Sequence, residues 1–236
     1  MNVEISCCSA ADVAGMRELY QHECNCQLIT YSMVPRGLAD SWRITVDGEL
    51  AGHGAVWNRH FPGRVSEFYV LPSHRSLTNV LFQQFIQCAS PTEIGAQTNV
   101  PPMLTLLYAF CKEIWHENYL FQHSKPAGIS ISGGKLSASP HEPNEWTLDV
   151  NGTTMGKGGI LHHYNVPYSD LYMEVLPEFR SKGMGSYLVQ QLASLCWQMG
   201  RIPCARCNTD NVASRKTLER AGLACCGHYL AGRIEK

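Results

Sequence analysis

Along Asp170-Leu171-Tyr172-Met173-Glu174-Val175 apolar and polar residues alternate, with Leu171, Met173 and Val175 on one side of a two-residue period. This predicts a strand with one apolar and one polar face, running into Pro177. From Gly183 to Met199 the period lengthens. Leu188, Val189, Leu192, Leu195, Cys196 and Met199 recur at helical spacing until Gly200 ends the run. A short strand over 202–207 is expected next. The cap-type residues Asn208-Thr209-Asp210-Asn211 then open a helix over about 212–221, Gly222 stops it, and a last strand covers 223–230. Near the start, Val13, Met16, Leu19 and Tyr20 predict an amphipathic helix over 10–24, with Ser9 or Asp12 as caps.

The chain repeats itself. Trp42-Arg-Ile-Thr-Val46-Asp47-Gly48 matches Trp146-Thr-Leu-Asp-Val150-Asn151-Gly152 at an offset of 104, and Gly52-His53-Gly54-Ala55-Val56 matches Gly156-Lys157-Gly158-Gly159-Ile160 at the same offset. Val70-Leu71-Pro72 and Arg75 match Val175-Leu176-Pro177 and Arg180 at 105. Two tandem domains of similar fold are expected, 1–126 and 127–236, with the boundary near Lys125-Pro126-Ala127-Gly128. Asp-Gly and Asn-Gly between strand-like segments predict a β-hairpin in each. The order hairpin, strand, helix, strand, helix, strand implies an α/β or α+β layered sheet rather than a bundle.

Composition narrows the classes of function. With 236 residues, 44% apolar and a formal charge of -1, the chain is expected to be globular, which argues against a basic nucleic-acid binder and against a charge-rich disordered chain. Residues 1–175 carry a net -6 and residues 176–236 a net +5, so a local anion site belongs near the C-terminal end. The longest nearly apolar stretch, Met103 to Cys111, is too short for a membrane span. No basic segment leads into an apolar one at the start, so the expected location is cytoplasmic. Eleven cysteines in a chain of this length are too dilute for a disulfide scaffold, and most are expected to be reduced thiols buried as small apolar groups.

The turn Arg180-Ser181-Lys182-Gly183-Met184-Gly185 joins the predicted strand to the predicted helix. There the first helical N–H groups lack partners, glycine permits close approach, and the helix dipole adds about half a positive charge to Arg180 and Lys182. A diphosphate suits such a cradle.

The series Val175-x-Pro177-x-x-Arg180-x-x-Gly183-x-Gly185, followed by Asn211-x-x-Ser214 and Glu219-Arg220-Ala221-Gly222-Leu223, resembles the GNAT family of acyl-CoA N-acyltransferases over residues 146–230. A weaker copy over 1–121 makes the whole chain resemble a tandem GNAT. The resemblance implies two domains, each a twisted mixed sheet flanked by helices, and a slot for pantetheine where the strand ending at Val175 and the strand near Cys207 splay apart. It assigns backbone groups of Val175 and Leu176 to the thioester and pantetheine, and Gly183, Met184, Gly185 and Ser186, flanked by Arg180 and Lys182, to the phosphates. Asn211 and Ser214 would meet the pantetheine. Arg215, with Lys216, either reaches outer phosphates or is a solvated cation. The first copy has Arg75-Ser76-Leu77-Thr78-Asn79-Val80 in place of the cradle, without glycine, and is expected to bind no coenzyme. Its role would be to shape the acceptor pocket, or only to stabilise the chain.

The resemblance implies N-acetyl transfer from acetyl-CoA, as cosubstrate, to an amine on a small molecule or peptide. Partners would be limited to that acceptor, without nucleic acid, membrane or metal, in a monomer or homodimer. An amine attacks only once deprotonated, so a carboxylate base is needed. Glu174 is the first choice and Asp170 the second, on the same polar strand face, while exposed sheet residues or acceptor contacts are the plainer reading of both. The family's frequent thiolate-protonating Tyr is replaced by Leu218. That substitution leaves open a coenzyme-binding or scaffold protein without turnover. A thiol or zinc site at Cys204 and Cys207, or at His22, Cys24 and Cys26, lacks a second matched ligand pair. His162-His163 would be solvated loop residues, or else a base or acceptor contacts. Pro101-Pro102 and Gly133-Gly134 read as turns.

Overall fold

The computed structural model describes residues 1–235. They form two compact units, Met1–Glu117 with the chain's end from His228 on, and Asn118–Gly227. The division at 117/118 falls before the expected 126/127, and the last strand returns to the first unit. A linker-like composition marks where a chain can bend, whereas the division follows strand pairing, which is long-range.

The first unit contains β1 (Val3–Cys8), α1 (Ala14–Cys24), β2 (Ala39–Val46), β3 (Glu49–Trp57), β4 (Arg64–Val70), α2 (Thr78–Ala89), β5 (Glu93–Gln97) and α3 (Pro101–Phe110). It also takes the beginning of β6 (Cys111–His123) and the end of β12 (Leu223–Ile234). Neighbouring strands run antiparallel from β1 to β4, β4 and β5 are parallel, and β5 pairs antiparallel with β12. The second unit adds β7 (Gly134–Ala138), β8 (Glu145–Val150), β9 (Thr153–Leu161), β10 (Tyr168–Val175), α4 (Met184–Gln198), β11 (Ile202–Asn208) and α5 (Val212–Arg220). Its strands are ordered β6-β11-β10-β9-β8-β7, with β10 and β11 as the parallel pair.

Both hairpins form as their turn residues require. Asp47 and Gly48 have φ of 51° and 85°, Asn151 and Gly152 have 50° and 81°, the positive pair of a type I′ turn. The repeat extends to irregularities of pairing. The register shifts between Ile44 and Thr45 in one hairpin and between Leu148 and Asp149 in the other, 104 positions on. A Cβ on Gly52 would collide with the Tyr69 carbonyl, and one on Gly156 with the Glu174 carbonyl, so both copies need glycine there.

Each unit buries its own core. In the first, Phe68 of β4 meets Phe82 and Phe85 of α2, with ring centroids 4.7 and 5.3 Å apart. In the second, Leu188, Val189, Leu192 and Cys196 of α4 pack on Leu148, Ile160 and Leu171. The apolar stretch from Met103 belongs to α3, whose Met103, Leu106 and Leu107 are buried, and no helix of the described residues is long and apolar enough to cross a membrane. Pro101 and Pro102 open that helix instead of making a turn, because first-turn N–H groups have no intrahelical acceptor to lose. Gly133 turns, with φ 71°, while Gly134 already belongs to β7. No disulfide joins the cysteines, and only Cys196, Cys204 and Cys207 are buried, against the expectation that most would be. Cys8, Cys24, Cys26 and Cys111 are half-buried against the core of the first unit, and Cys7, Cys88, Cys225 and Cys226 are exposed.

Candidate active site

The site is built on a fork between two parallel strands. β10 pairs with β9 from Asp170 to Val175, but with β11 only through Tyr168, Ser169 and Asp170, opposite Ile202, Pro203 and Cys204. Beyond Asp170 the strands separate, and β11 keeps only β6 as a partner. The Leu176 N–H donates to the Met155 carbonyl at 3.0 Å, which fixes the phase of β10. Strand alternation then turns the backbone groups of Leu171, Met173 and Val175 away from β9, toward the gap. An unpaired strand edge is a template for an extended, amide-bearing ligand. Leu176 itself is spent inside the chain, since its carbonyl also accepts from Phe179 N at 3.0 Å.

At the open end of the fork the chain passes through a 3-10 turn, Pro177–Phe179, and starts α4 at Gly183. Gly183 has φ 84°, a left-handed conformation that disfavours any side chain, and no side chain caps the helix. The N–H groups of Met184, Gly185 and Ser186 precede the first intrahelical bond, Tyr187 N to Gly183 O at 3.1 Å, and have no helical acceptor. Gly185 is small for a different reason. A Cβ there would stand 3.1 Å from Thr217 Cγ2 and 3.6 Å from Met173 Sδ and Val175 Cγ2, so its absence lets α4 pack on β10 and α5.

The other anticipated residues divide between the cradle and internal duties. Arg180 Nε donates to the Val175 carbonyl at 3.0 Å, and Lys182 Nζ to the Glu178 carbonyl at 3.0 Å. Ser186 Oγ is buried and donates to the Thr217 carbonyl at 3.2 Å, leaving only its N–H for the cradle. Asn211 Oδ1 caps α5 by accepting from Ser214 N at 2.9 Å. Arg215 pairs with Glu219 at 3.0 Å and lies over the Tyr119 ring. Leu218 is core. Cys204 and Cys207, three apart on a strand, point to opposite faces, which argues against a two-thiol centre. Among the described residues no group of His, Cys, Asp or Glu is arranged to hold a metal.

The two carboxylates differ sharply. Asp170 stands at the fork itself and is buried, at 7% exposure. Burial pushes its carboxyl up to about 6, with Arg206 and the Tyr164 hydroxyl working against the rise. Glu174 is exposed near the far end of the strand, opposite Lys157. Between them Tyr172 donates to Glu145 at 2.9 Å, and Lys157 pairs with the same carboxylate at 3.1 Å. Tyr164 and Arg206 were not anticipated. Tyr164 sits in an aperiodic loop, and Arg206 joins Asp170 only through the pairing of β10 with β11.

The first unit forks at the matching place. β4 pairs with β5 only at Arg64 and Val65, and Val65 precedes Asp170 by 105. Here the chain fills its own gap. The Gln97 amide donates to the Gln27 carbonyl at 2.7 Å and accepts from Ile29 N at 2.8 Å, while Thr30 Oγ1 donates to the Ser66 carbonyl at 3.3 Å. What remains is a cavity of about 10 Å³, lined in part by Thr30, Ser66, Gln97 and Tyr229. The nearby carboxylate, Glu67, is buried and held by Arg17 through bonds of 2.7 and 2.8 Å, with His53 Nε2 at 3.3 Å. Burial alone would raise it, but these partners hold it below the usual carboxylate range.

The sequence matches two family descriptions, "Acetyltransferase (GNAT) domain" over residues 9–124 and "FR47-like protein" over 159–229. None of the curated proteins matches it. Among solved structures, a GNAT-family acetyltransferase from Colwellia psychrerythraea superposes with a TM-score of 0.82 at 15% identity, over 98% of this chain and 100% of the other. A tandem GNAT protein from the clavulanic acid biosynthesis pathway gives 0.64 at 13%, over 100% and 99%. A GCN5-related N-acetyltransferase from Sphaerobacter thermophilus gives 0.62 at 14%, over 99% and 95%. At these identities the likeness is one of fold.

Proposed function

Because the chain belongs to the GNAT family of acetyltransferases, we propose that it is an acyl-CoA-dependent N-acyltransferase with one coenzyme site, in its second unit, where an acetyl group passes from acetyl-CoA to a primary amine. The observation that carries this reading is the fork at Asp170. It offers an unpaired strand edge leading to an uncapped helix start, as a pantetheine diphosphate requires. The matching fork of the first unit is closed by its own residues and lacks the glycine cradle.

Acetyl-CoA supplies the activated acyl group as a thioester. The open edge from Leu171 to Val175 pairs with the amides of the arm and presents N–H groups to the carbonyl oxygen, where negative charge develops. Asp170 is the base, in preference to Glu174. It lies at the apex of the fork, and a carboxyl near 6 is half-ionised just below neutrality, close to the optimum for taking a proton from an amine at physiological pH. The deprotonated amine attacks the carbonyl carbon, the C–S bond breaks, and the thiolate leaves. With a thiol pKa of about 8.5 it takes its proton from water, consistent with Leu218, a core residue, at the family's Tyr position. Glu174, exposed on the same face, binds a cationic acceptor.

Buried Leu218 also fits a second reading, a coenzyme-binding protein without turnover. Titration calorimetry with acetyl-CoA, paired with thiol release across an amine panel, separates the two. One site per chain with amine-dependent release is expected, while binding without release under any amine would favour the second reading, and absence of binding would remove both.

A further inference from the structure

We propose that Tyr164, in the connection between β9 and β10, is a positioning residue for Asp170: its hydroxyl donates to one oxygen of the ionised carboxylate and leaves the other to the acceptor amine. The kinetic consequence rests on Asp170 being the base. The connection is short and held at both ends. Asp170 pairs with Leu161 across β9 and β10, so residues 162–167 loop out just beyond that pair. Tyr168 N donates to the Asn165 carbonyl at 2.8 Å, and Ile202 N to the Pro167 carbonyl at 2.9 Å, which ties the connection to both strands of the fork. Tyr164 and Asn165 are buried, at 4% and 1% exposure.

The Tyr164 hydroxyl is sealed from water and completes no hydrogen bond with any described residue. A buried hydroxyl left in that state is costly, and a partner that changes charge can supply the bond. The carboxyl it faces is that of Asp170. The other titratable or charged groups around this carboxyl come from β11: Cys204, opposite it across the fork, and Arg206. β9 opposes it with Leu161. Arg206 is exposed, so water and salt screen its charge, whereas Tyr164 meets the carboxyl out of water. Burial, and after it the charge of Asp170, push the phenol well above its ordinary value, so it keeps its proton while Asp170 titrates. A hydroxyl bonds a carboxylate more strongly than a neutral acid. Closing that bond when Asp170 ionises stabilises the ionised form, fixes the orientation of the carboxylate and satisfies the hydroxyl. During turnover the ammonium proton of the acceptor passes to the free carboxylate oxygen, and Tyr164 keeps its own.

The test titrates Asp170 in wild type and Tyr164→Phe by carboxyl-carbon NMR, with Asp170→Asn assigning the signal, beside kcat/KM profiles with acetyl-CoA and the best amine of the panel. Tyr164→Phe is expected to raise the Asp170 midpoint by about one pH unit and to move the acid limb of kcat/KM upward equally, about a tenfold loss below the limb. The alkaline plateau and acetyl-CoA affinity stay within about threefold of wild type, since one oxygen outside the coenzyme contacts is removed. In wild type the near-ultraviolet absorbance of tyrosine shifts with the same midpoint, and Asp170→Asn abolishes the shift. That measurement needs no Tyr164 variant to fold. An unmoved midpoint in Tyr164→Phe overturns the proposal, and so does a tyrosine spectrum that does not titrate, or a loss of rate equal at every pH, the mark of packing alone. A raised midpoint beside an acid limb that survives in Asp170→Asn supports the contact and overturns instead the assignment of Asp170 as the base.

Discussion

Asp170 shows how a buried carboxylate is held against stability. Its carboxyl titrates near 6, about two units above an exposed aspartate, so the folded protein binds a proton more readily than the unfolded chain between about pH 4 and 6. Stability therefore falls as pH rises through that window, and above it ionised Asp170 costs about 3 kcal/mol. Asp170→Asn is expected to melt higher than wild type at pH 8 and to lose the acid limb of its kcat/KM profile, while Glu174→Gln keeps that limb. A profile altered only in Glu174→Gln would transfer the role of base to that residue. Gly183→Glu places a carboxylate beside Arg220 and a side chain at φ 84°; acetyl-CoA binding should vanish, and undiminished affinity in calorimetry would refute the cradle. In the first unit the sign reverses. Glu67 is depressed, so its contribution is present above the unfolded carboxylate range and disappears as pH falls through its folded value. Arg17→Ala leaves that charge buried without its main partner, at a cost of about 3–5 kcal/mol in denaturant unfolding at pH 7.

At the scale of elements, strand, turn and helix from β10 through α4, braced by α5, frame the proposed coenzyme site. The strand supplies an open edge, the turn an uncapped helix start, and α5 places the Arg220 side chain beside Gly183. Gly185 is the joint between them. Gly185→Val would drive a branched side chain into Thr217, and overpacking of this kind costs about 1–3 kcal/mol. We expect a lower melting temperature together with weaker acetyl-CoA binding, because α5 must move; a lower melting temperature with intact binding would show that the cradle does not depend on that contact. The elements of this region were legible because each has a local cause: alternation in β10, helical period in α4, cap residues before α5, an Asn-Gly turn before β9. α3 was obscured by Pro101-Pro102, which serve a helix start as readily as a turn.

Across the whole molecule, two units of like topology differ in what fills their forks. In the first, Gln97 and Thr30 hold the segment around Leu28 where the strands part. In the second, the edge from Leu171 to the Val175 N–H has no strand partner on the β11 side, and the Val175 carbonyl accepts from Arg180. Hydrogen exchange with and without acetyl-CoA should show new protection at 171–175 and 183–187, and none at 65–70 or 27–31. Protection in the first unit instead would reverse the assignment.

The repeat, the paired hairpins, the order of elements and the glycine turn into α4 were written in the sequence, because turns, caps and periodicity act over a few residues. The register at which β10 leaves β11, the burial that lifts the Asp170 carboxyl, the placement of Arg220 beside Gly183 and the return of the end of β12 to the first unit were decided only by the tertiary structure. Each depends on which backbone groups go unpaired and which side chains lose water when segments distant in sequence come together, and no local pattern encodes that.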